Sequence, residues 1–469
     1  MRKIFTIYIF FIVASFLVLS SRSLVQLDEV MLLDPCLRWL QGIGYTSKLW
    51  FAKGSQDHFL AYLPTNSAFR IPFLYIFPST LFFHRLPFTV VFLFGGFLIY
   101  KITYNKLQNS FLAIFATIFF LSDKGLWDAT LSGRSEILQV LLILVYFQLE
   151  KEVCTSFESI TKGVVIGLLF LTHPPAWIIA FCLLILSYKK HDKSKFYFVL
   201  FSVFAIFMIY LIAINFNIRE AWSQLFLNGT LAILPNTIWH RITHFYERLL
   251  PYPYLYQPWV IVLFIASLFF WLNVSIFKDK FVRKIGILFA VYVFFLLLAS
   301  ENYYRYNPPF LACMYLAFPY LWKYISERSR IRINLYSLSI VVLVLCMTMA
   351  IRFYRIIQNS DVNNTEIVIK EFKFVISEQP FPQRSLLIGE PVGYYCAESA
   401  AGVDYSTIYT IHKFKKPEYD KIYFITYSSL KEDEYKLIRV LVPGDRRDGT
   451  YAGLKLYEMK NNQSLTALN

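Results

Sequence analysis

Apolar residues gather along this chain into long runs that short polar stretches separate. The runs lie near 4–20, 86–104, 108–122, 137–149, 163–172, 176–188, 196–214, 259–276, 285–300, 308–322 and 334–351. Most of them approach the roughly 20 residues with which an α-helix crosses about 30 Å of hydrocarbon. The pattern predicts an all-α polytopic membrane bundle of about 11 transmembrane helices.

Basic residues cluster in alternate loops of this pattern, which predicts the orientation. Lysine and arginine concentrate in cytoplasmic loops of membrane proteins, so the N-terminus is expected in the cytoplasm. The opposite short loops, 122–136 and 301–307, carry few basic residues. The clusters that this orientation places in the cytoplasm are Lys101/Lys106, Lys189/Lys190/Lys193/Lys195, Lys278/Lys280/Arg283/Lys284 and Lys323/Arg328/Arg330/Arg332.

The segment 163–188 has too many residues for one comfortable span and too few for two full ones. Both of its flanks, Lys162 and Lys189, favour the cytoplasm. We therefore expect the chain to turn back at Thr172-His173-Pro174-Pro175 as a short hairpin buried against its neighbours.

The tail is a different kind of sequence. Short β-type runs alternate there with polar turns, a pattern that predicts a small α/β domain. The expected boundaries are 1–351 for the transmembrane domain, with outer loops 21–85 and 215–258, and 352–469 for an extracytoplasmic C-terminal domain. The β-type runs are Ser385–Ile388, Ser406–His412, Lys421–Thr426, Leu437–Val442 and Leu454–Met459.

Composition narrows the class further. With 57% hydrophobic and 16% charged residues, a soluble globular protein is excluded. The formal net charge of +15 comes from clusters beside apolar runs, so it indicates membrane orientation and no nucleic-acid partner is expected. The 6 cysteines lack CxxC or Cys/His spacing and indicate neither a disulfide framework nor a zinc site.

Two adjacent carboxylates, Asp28 and Glu29, follow the first span directly. Ionised Asp28 could act as a general base on an acceptor hydroxyl, and Glu29 could hold a metal or orient a partner. The alternative is a hydrated interfacial pair with no role. Asp34 before Pro35 fits a helix N-cap and Gly42 fits the end of that helix, which makes Asp34 structural.

Arginines at the outer ends of two spans are candidates for phosphate binding. Arg134 lies in Arg134-Ser135-Glu136, and Arg305 lies in a tyrosine-rich loop. A guanidinium group can chelate phosphate oxygens with two parallel donors. Each arginine could instead anchor its helix among phospholipid headgroups. His173, in the short hairpin, fits a packed core histidine better than a ligand.

Taken in order, these residues resemble the GT-C class of multi-span glycosyltransferases, which includes the protein mannosyltransferase and aminoarabinose transferase branches. Members carry an acidic pair early in the first outer loop, followed by a helix and a Gly-rich turn. Arg134-Ser135-Glu136 departs from the family's Arg-Pro-Asp at its two later residues, and His173 stands where Lys is usual. The matching segments are Asp28–Leu33, Leu40–Tyr45, Arg85-Leu86-Pro87, Arg134-Ser135-Glu136, Gly167–Pro174 and Arg305–Pro309.

The resemblance implies a hexosyl- or pentosyltransferase of the bacterial inner membrane. It would move a sugar from a polyprenyl-phosphate donor to a lipid, glycan or protein acceptor by inverting displacement. Asp28 would deprotonate the acceptor with support from Glu29, and Arg134 and Arg305 would bind the donor phosphate. Glu136 and His173 would support the site. Some members use a divalent metal, and the sequence leaves that requirement open.

Three other functions remain open at this point, and one of them is a non-catalytic scaffold that uses its tail to bind partners. A surface-polysaccharide polymerase or ligase also has about a dozen spans and arginine-rich outer loops, but it does not need an acidic pair after the first span. A transporter or flippase of a lipid-linked substrate is expected to carry ionisable residues near the bilayer midplane. Charges in this chain lie mainly at span ends.

Overall fold

The structure is a computed structural model, and it describes most of the chain. The described residues are 2–22, 25–49, 58–60, 62–77, 80–151, 154–188, 192–227, 279–298, 308–329, 365–382, 384–406, 419–427, 430, 434–442 and 454–460.

Helices account for most of the described residues before 330. Apart from 259–276 and 334–351, which lie outside the described residues, every predicted apolar segment coincides with a helix. The helices are α1 (Arg2–Arg22), α2 (Leu27–Leu40), α3 (Thr65–Ile76), α4 (Leu81–Leu107), α5 (Ser110–Ser122), α6 (Lys124–Leu131), α7 (Ser135–Gln148), α8 (Ser156–Phe170), α9 (Ala176–Ser187), α10 (Lys193–Ala213), α11 (Ile218–Trp222), a π-helical turn (Ser223–Leu227), α12 (Lys280–Leu298) and α13 (Pro308–Ser329).

Length and hydropathy mark some of these helices as membrane spans. Within the described ranges, α4 and α10 are long and apolar enough to cross a membrane. α5 and α6 together form a third candidate, bent by 54° at Asp123. Shorter apolar helices, including α7 and α9, accompany them. The fold is mostly helical, as expected of an integral membrane protein.

The predicted hairpin is confirmed. α8 ends at Phe170, α9 begins at Ala176, and the two helices contact each other. α8 begins earlier than its apolar run because the Thr155 hydroxyl accepts the main-chain N–H of Glu158 at 3.1 Å. The Glu158 carboxylate in turn accepts the main-chain N–H of Thr155 at 2.8 Å, which completes a capping box.

α8 packs closely on α10 through a glycine. A Cβ placed on Gly163 would lie 2.5 Å from the main-chain oxygen of Val199, so no larger residue fits there without moving the backbone. Small residues at such points let helices in membranes approach each other closely, which increases their van der Waals contact.

α2 starts earlier than the sequence predicted. Leu27 is its first residue and Gln26 its N-cap, so Asp34 lies in the helix interior and the expected cap at Asp34 is wrong. Pro35 cannot donate a main-chain hydrogen bond, yet the helix continues through it. The expected end is confirmed, because Gly42 follows the C-cap Gln41 with a φ of +77°.

The described tail contains a five-stranded sheet with the order β2-β1-β3-β5-β4. β1 pairs in parallel with β2 and β3, whereas β5 pairs antiparallel with β3 and β4. β2 begins before the run predicted at 406–412, whose residues 407–412 lie outside the described residues. The elements are α14 (Thr365–Glu378), β1 (Ser385–Gly389), α15 (Val392–Glu398), β2 (Val403–Ser406), β3 (Lys421–Thr426), β4 (Tyr435–Val442) and β5 (Leu454–Met459).

Contacts divide the chain into two compact units. The first comprises Met1–Val13, Leu60–Phe73 and Arg85–Met349. The second comprises Ala14–Phe59, Leu74–His84 and Ala350–Asn469, so it combines most of the first outer loop with the tail.

Candidate functional site

A turn between α6 and α7 collects polar side chains in the first unit. Gly133 adopts a φ of +61°, which favours glycine. Its carbonyl oxygen accepts hydrogen bonds from Asn66 Nδ2 at 3.1 Å and from Arg70 Nη2 at 2.8 Å. Asn66 and Arg70 lie four residues apart on α3 and so share one of its faces. α3 therefore fixes the turn that leads into α7.

Arg70 is a fully buried cation in this cluster. Its Cζ lies 4.8 Å from the ring centroid of Phe88, at the distance of a cation–π contact. Its Nε and Nη1 have no hydrogen-bond partner among the residues that the structure describes. Two of its three nitrogens are therefore left with unused donors.

Arg134 stands at the N-cap of α7 and is bound by a carboxylate. Its Nε and Nη2 each donate to the Glu136 carboxylate at 3.1 Å, a bidentate ion pair. Glu136 is fully buried and lies in the first turn of α7, where the helix dipole favours a negative charge. The charge of Arg134 is thus balanced within the chain.

His173 joins the same cluster through Tyr62. The two rings lie 4.9 Å apart between centroids. The Tyr62 hydroxyl forms a short hydrogen bond with the Ser135 hydroxyl, the residue between Arg134 and Glu136. The packed position predicted for His173 agrees with its low exposure.

An apolar cavity of about 540 Å³ opens in the first unit. It is formed mainly by α8, α9, α10, α11 and the π-helical turn. Two of its lining residues, Leu63 and Leu171, are close in sequence to Tyr62 and His173. Lining residues include Leu63, Leu171, Trp177, Phe204, Tyr210 and Leu225.

Another charge cluster in the first unit is internally balanced. The Glu150 carboxylate accepts hydrogen bonds from Lys162 Nζ and from Lys284 Nζ, each at 2.7 Å. Burial alone would raise the pKa of Glu150, but the two lysines hold that pKa below its ordinary value. The carboxylate therefore stays ionised and neutralises the cations around it.

The acidic pair opens α2 in the second unit. Glu29 is fully buried and accepts the main-chain N–H of Gln26 at 3.5 Å, which is the capping side of the helix start. Asp28 is only partly buried. Because Glu29 is engaged in the cap, Asp28 is the more accessible of the two carboxylates.

Asp34 anchors the loop after α2. It accepts the Ser47 hydroxyl at 2.7 Å and the main-chain N–H of Lys48 at 3.0 Å. Burial raises the pKa of Asp34 against the opposing effect of these hydrogen bonds. Burial likewise raises the pKa of Glu398, which accepts Gln41 Nε2 at 3.4 Å.

Further contacts within the second unit tie the first outer loop to the tail. Lys48 Nζ lies 2.9 Å from Asp404 Oδ1, and His84 Nδ1 lies 3.0 Å from the Tyr395 hydroxyl. Both pairs are more than 300 residues apart in sequence. The tail thus packs on the segment that carries Asp28.

The structure brings together only part of the predicted site. Arg134, Glu136 and His173 lie in one cluster of the first unit, Asp28 and Glu29 lie on α2 in the second, and Arg305 lies outside the described residues. The sequence analysis missed Asn66 and Arg70. Their signal was an amide and a guanidinium side chain at helical spacing, four residues apart.

Metal ligands were left open by the sequence. Within the ranges that the structure describes, no group of three or more His, Cys, Asp or Glu side chains is arranged to hold a metal ion.

Solved structures provide a likeness over nearly the whole chain. ArnT from Cupriavidus metallidurans bound to undecaprenyl phosphate matches with a TM-score of 0.60 and 10% identity, over 98% of this chain and 98% of that one. The same protein in the apo state matches with a TM-score of 0.63 and 10% identity, over 99% and 98%. The GT-C fold expected from the sequence is confirmed; identities this low establish the fold alone.

One further solved structure is less similar, and the two sequence comparisons found no match. An oligosaccharyltransferase from Archaeoglobus fulgidus matches with a TM-score of 0.49 and 10% identity, over 91% of this chain and 69% of that one. No protein-family profile and no curated protein sequence matches the chain.

Proposed function

We propose that this GT-C protein is a membrane glycosyltransferase that moves a sugar from a polyprenyl-phosphate donor to an acceptor hydroxyl. The observation that carries the proposal is the likeness over 98% of both chains to an ArnT structure that holds undecaprenyl phosphate. The acidic pair at the start of α2 and the arginine at the start of α7 supply the two kinds of group that such a transfer requires.

The donor's lipid fits the character of the first unit. A polyprenyl chain is a branched hydrocarbon, and the cavity between α8, α9 and α10 is lined almost entirely by apolar side chains. Burial of such a chain is favourable in rough proportion to the apolar area removed from water. We assign this cavity to part of the lipid tail.

Proton and electron movements follow from inverting displacement. Asp28 accepts the proton of the acceptor hydroxyl, whose oxygen attacks the anomeric carbon of the sugar. The bond between that carbon and the phosphate oxygen breaks, and polyprenyl phosphate leaves with the bonding electron pair. Arg134 and Arg305 stabilise the charge that develops on the leaving phosphate, with Glu136 and His173 holding the surrounding turn in place.

The site and the tail are proposed to face away from the cytoplasm, in a bacterial inner membrane. The domain boundary proposed near residue 351 makes 352–469 a cap that positions the acceptor. The support is the distribution of basic residues along the sequence. A topology reporter fused after residue 469 tests this, and cytoplasmic reporter activity there would contradict it.

Transfer is tested with the purified full-length protein in lipid nanodiscs. A panel of undecaprenyl-phosphate-linked hexoses and pentoses is incubated with candidate lipid acceptors, and released undecaprenyl phosphate is quantified by mass spectrometry. We expect release that depends on the acceptor. Movement of the intact lipid-linked sugar across a vesicle membrane, without cleavage, would instead support a transporter.

A further inference from the structure

One buried guanidinium in the first unit has incomplete hydrogen bonding. Arg70 Nη2 donates to the Gly133 carbonyl oxygen at 2.8 Å, while Nε and Nη1 find no acceptor among the described residues. The side chain is fully buried. Arginine remains protonated inside proteins, so this positive charge cannot be relieved by loss of a proton.

Within the part of the chain that the structure describes, no carboxylate pairs with Arg70. The carbonyl of Gly133 is neutral, and Phe88 offers only the face of an aromatic ring. Glu136, in the first turn of α7, accepts hydrogen bonds from Arg134 with both of its carboxylate oxygens. Buried charges in proteins are normally paired and hydrogen-bonded, so Arg70 has the features of a group that completes its contacts with a ligand.

The surrounding backbone favours an anion. Arg70 lies against Gly133, which precedes the N-terminus of α7, a helix of 14 residues. The first N–H groups of such a helix and its dipole attract negative charge. Asn66, one turn earlier on α3, donates its Nδ2 to the same Gly133 carbonyl oxygen at 3.1 Å and so helps to hold this turn in place. These groups all belong to one compact unit.

We propose that Arg70 binds a phosphate oxygen of the polyprenyl-phosphate donor at the entrance to α7. The inference rests on the function proposed above and adds a residue to its donor site. The phosphate supplies the negative charge and the acceptors that the buried guanidinium lacks. Arg134 contributes less to phosphate binding, because its guanidinium group is already paired with the Glu136 carboxylate.

The experiment compares two buried cations replaced by the same apolar residue. Arg70→Met removes the cation without a carboxylate partner, and Lys162→Met, the control, removes one paired to Glu150. Thermal unfolding of the full-length protein in detergent is measured alone and with undecaprenyl phosphate, undecaprenol or inorganic phosphate. The wild type is expected to be stabilised by undecaprenyl phosphate and not by undecaprenol.

Arg70→Met should weaken the affinity for undecaprenyl phosphate about ten- to a hundredfold, as expected for lost charge-assisted hydrogen bonds. Its melting temperature without lipid should stay close to that of the wild type, because the charge removed was uncompensated. Lys162→Met should melt earlier and keep the wild-type affinity. If Arg70→Met does not yield folded protein, Arg70→Lys carries the test, with an expected loss of about tenfold.

Several results would overturn the inference. Unchanged lipid affinity in folded Arg70→Met or Arg70→Lys would make Arg70 a structural residue. Stabilisation by inorganic phosphate alone, lost in Arg70→Met, would place a free phosphate there in place of the donor. A wild type that no undecaprenyl phosphate stabilises would contradict the proposed function itself, which separates that failure from one confined to Arg70.

Discussion

Two buried cationic sites of the first unit differ in whether the chain supplies the opposing charge. Lys162 and Lys284 share the carboxylate of Glu150 at 2.7 Å each. Arg70 is at least as deeply buried, yet the groups that it contacts among the described residues are a neutral carbonyl and an aromatic ring. The difference indicates that the Glu150 site stabilises the fold, whereas Arg70 is the group that we propose to bind a ligand.

This comparison separates stability from activity. A charge balanced inside the chain should matter to unfolding and little to the substrate. A charge that faces a substrate should matter to binding or turnover and little to unfolding. Each prediction below tests one side of that division.

The largest effect is expected at Asp28. Asp28→Asn keeps the shape of the side chain but removes the base, so turnover should fall by roughly 10²–10⁴ while donor affinity and melting temperature change little. Asp420→Asn, which alters an exposed carboxylate paired to Arg384, is the control and should keep full turnover. Transfer by Asp28→Asn at the wild-type rate would remove Asp28 from the chemistry.

Glu150→Gln should have the largest effect on stability. It leaves the buried Lys162 and the partly buried Lys284 without their carboxylate. Loss of one partner of a buried ion pair typically costs about 3–5 kcal/mol. Undecaprenyl phosphate affinity of the folded fraction should be unchanged. Lys151→Met, which breaks an exposed pair with Glu158, should cost no more than about 1 kcal/mol. Equal losses in the two variants, measured by thermal unfolding, would remove the distinction between the sites.

The Glu150 cluster also predicts a pH dependence. Because the pKa of Glu150 is lowered in the folded protein, its contribution to stability is present above the pKa of the unfolded chain and is lost as the pH falls through the folded value. Acid should therefore destabilise the wild type more steeply than Glu150→Gln. Parallel unfolding curves between neutral and acidic pH would contradict this.

Arg134 should give a smaller effect on donor binding than Arg70. Arg134→Lys keeps the charge but loses the bidentate geometry with Glu136, so donor affinity should fall by at most about tenfold. Affinities for undecaprenyl phosphate measured side by side decide the order. A greater loss at Arg134 than in Arg70→Met would reverse the comparison.

The smallest effect is expected at Asp34. Burial raises its pKa, so the folded state retains the proton more strongly, and stability declines as the pH rises from the unfolded value through the folded one. Asp34→Asn can still accept from Ser47 and Lys48, and its unfolding should lose this component of the pH dependence. An unchanged pH profile would show that Asp34 does not titrate in that range.

The helical framework followed from the sequence because each apolar run is itself the cause of a helix in a membrane. The hairpin around His173 could be predicted for the same reason, together with the charge of its flanks. The start of α2 could not, because Asp34-Pro35 matched a capping pattern, while the cap is formed by Gln26 and Glu29.

The cluster around Arg70 could not be predicted from the sequence, for a different reason. Its partners lie on α3 and on the turn before α7, more than 60 residues apart, and only the fold brings them together. Arg134 was visible because it belongs to a motif at a span end. Glu136 belongs to the same motif and was expected to support the site, but the sequence did not predict its bidentate ion pair with Arg134.

The most direct test of the account is to identify the lipid that the protein carries. Wild-type protein is purified from membranes in a mild detergent, its lipids are extracted, and mass spectrometry compares them with those of Arg70→Met and Lys162→Met. The account predicts a polyprenyl phosphate, with or without its sugar, enriched over the bulk lipid in the wild type and in Lys162→Met but depleted in Arg70→Met. Bulk phospholipid alone in all three samples would contradict it.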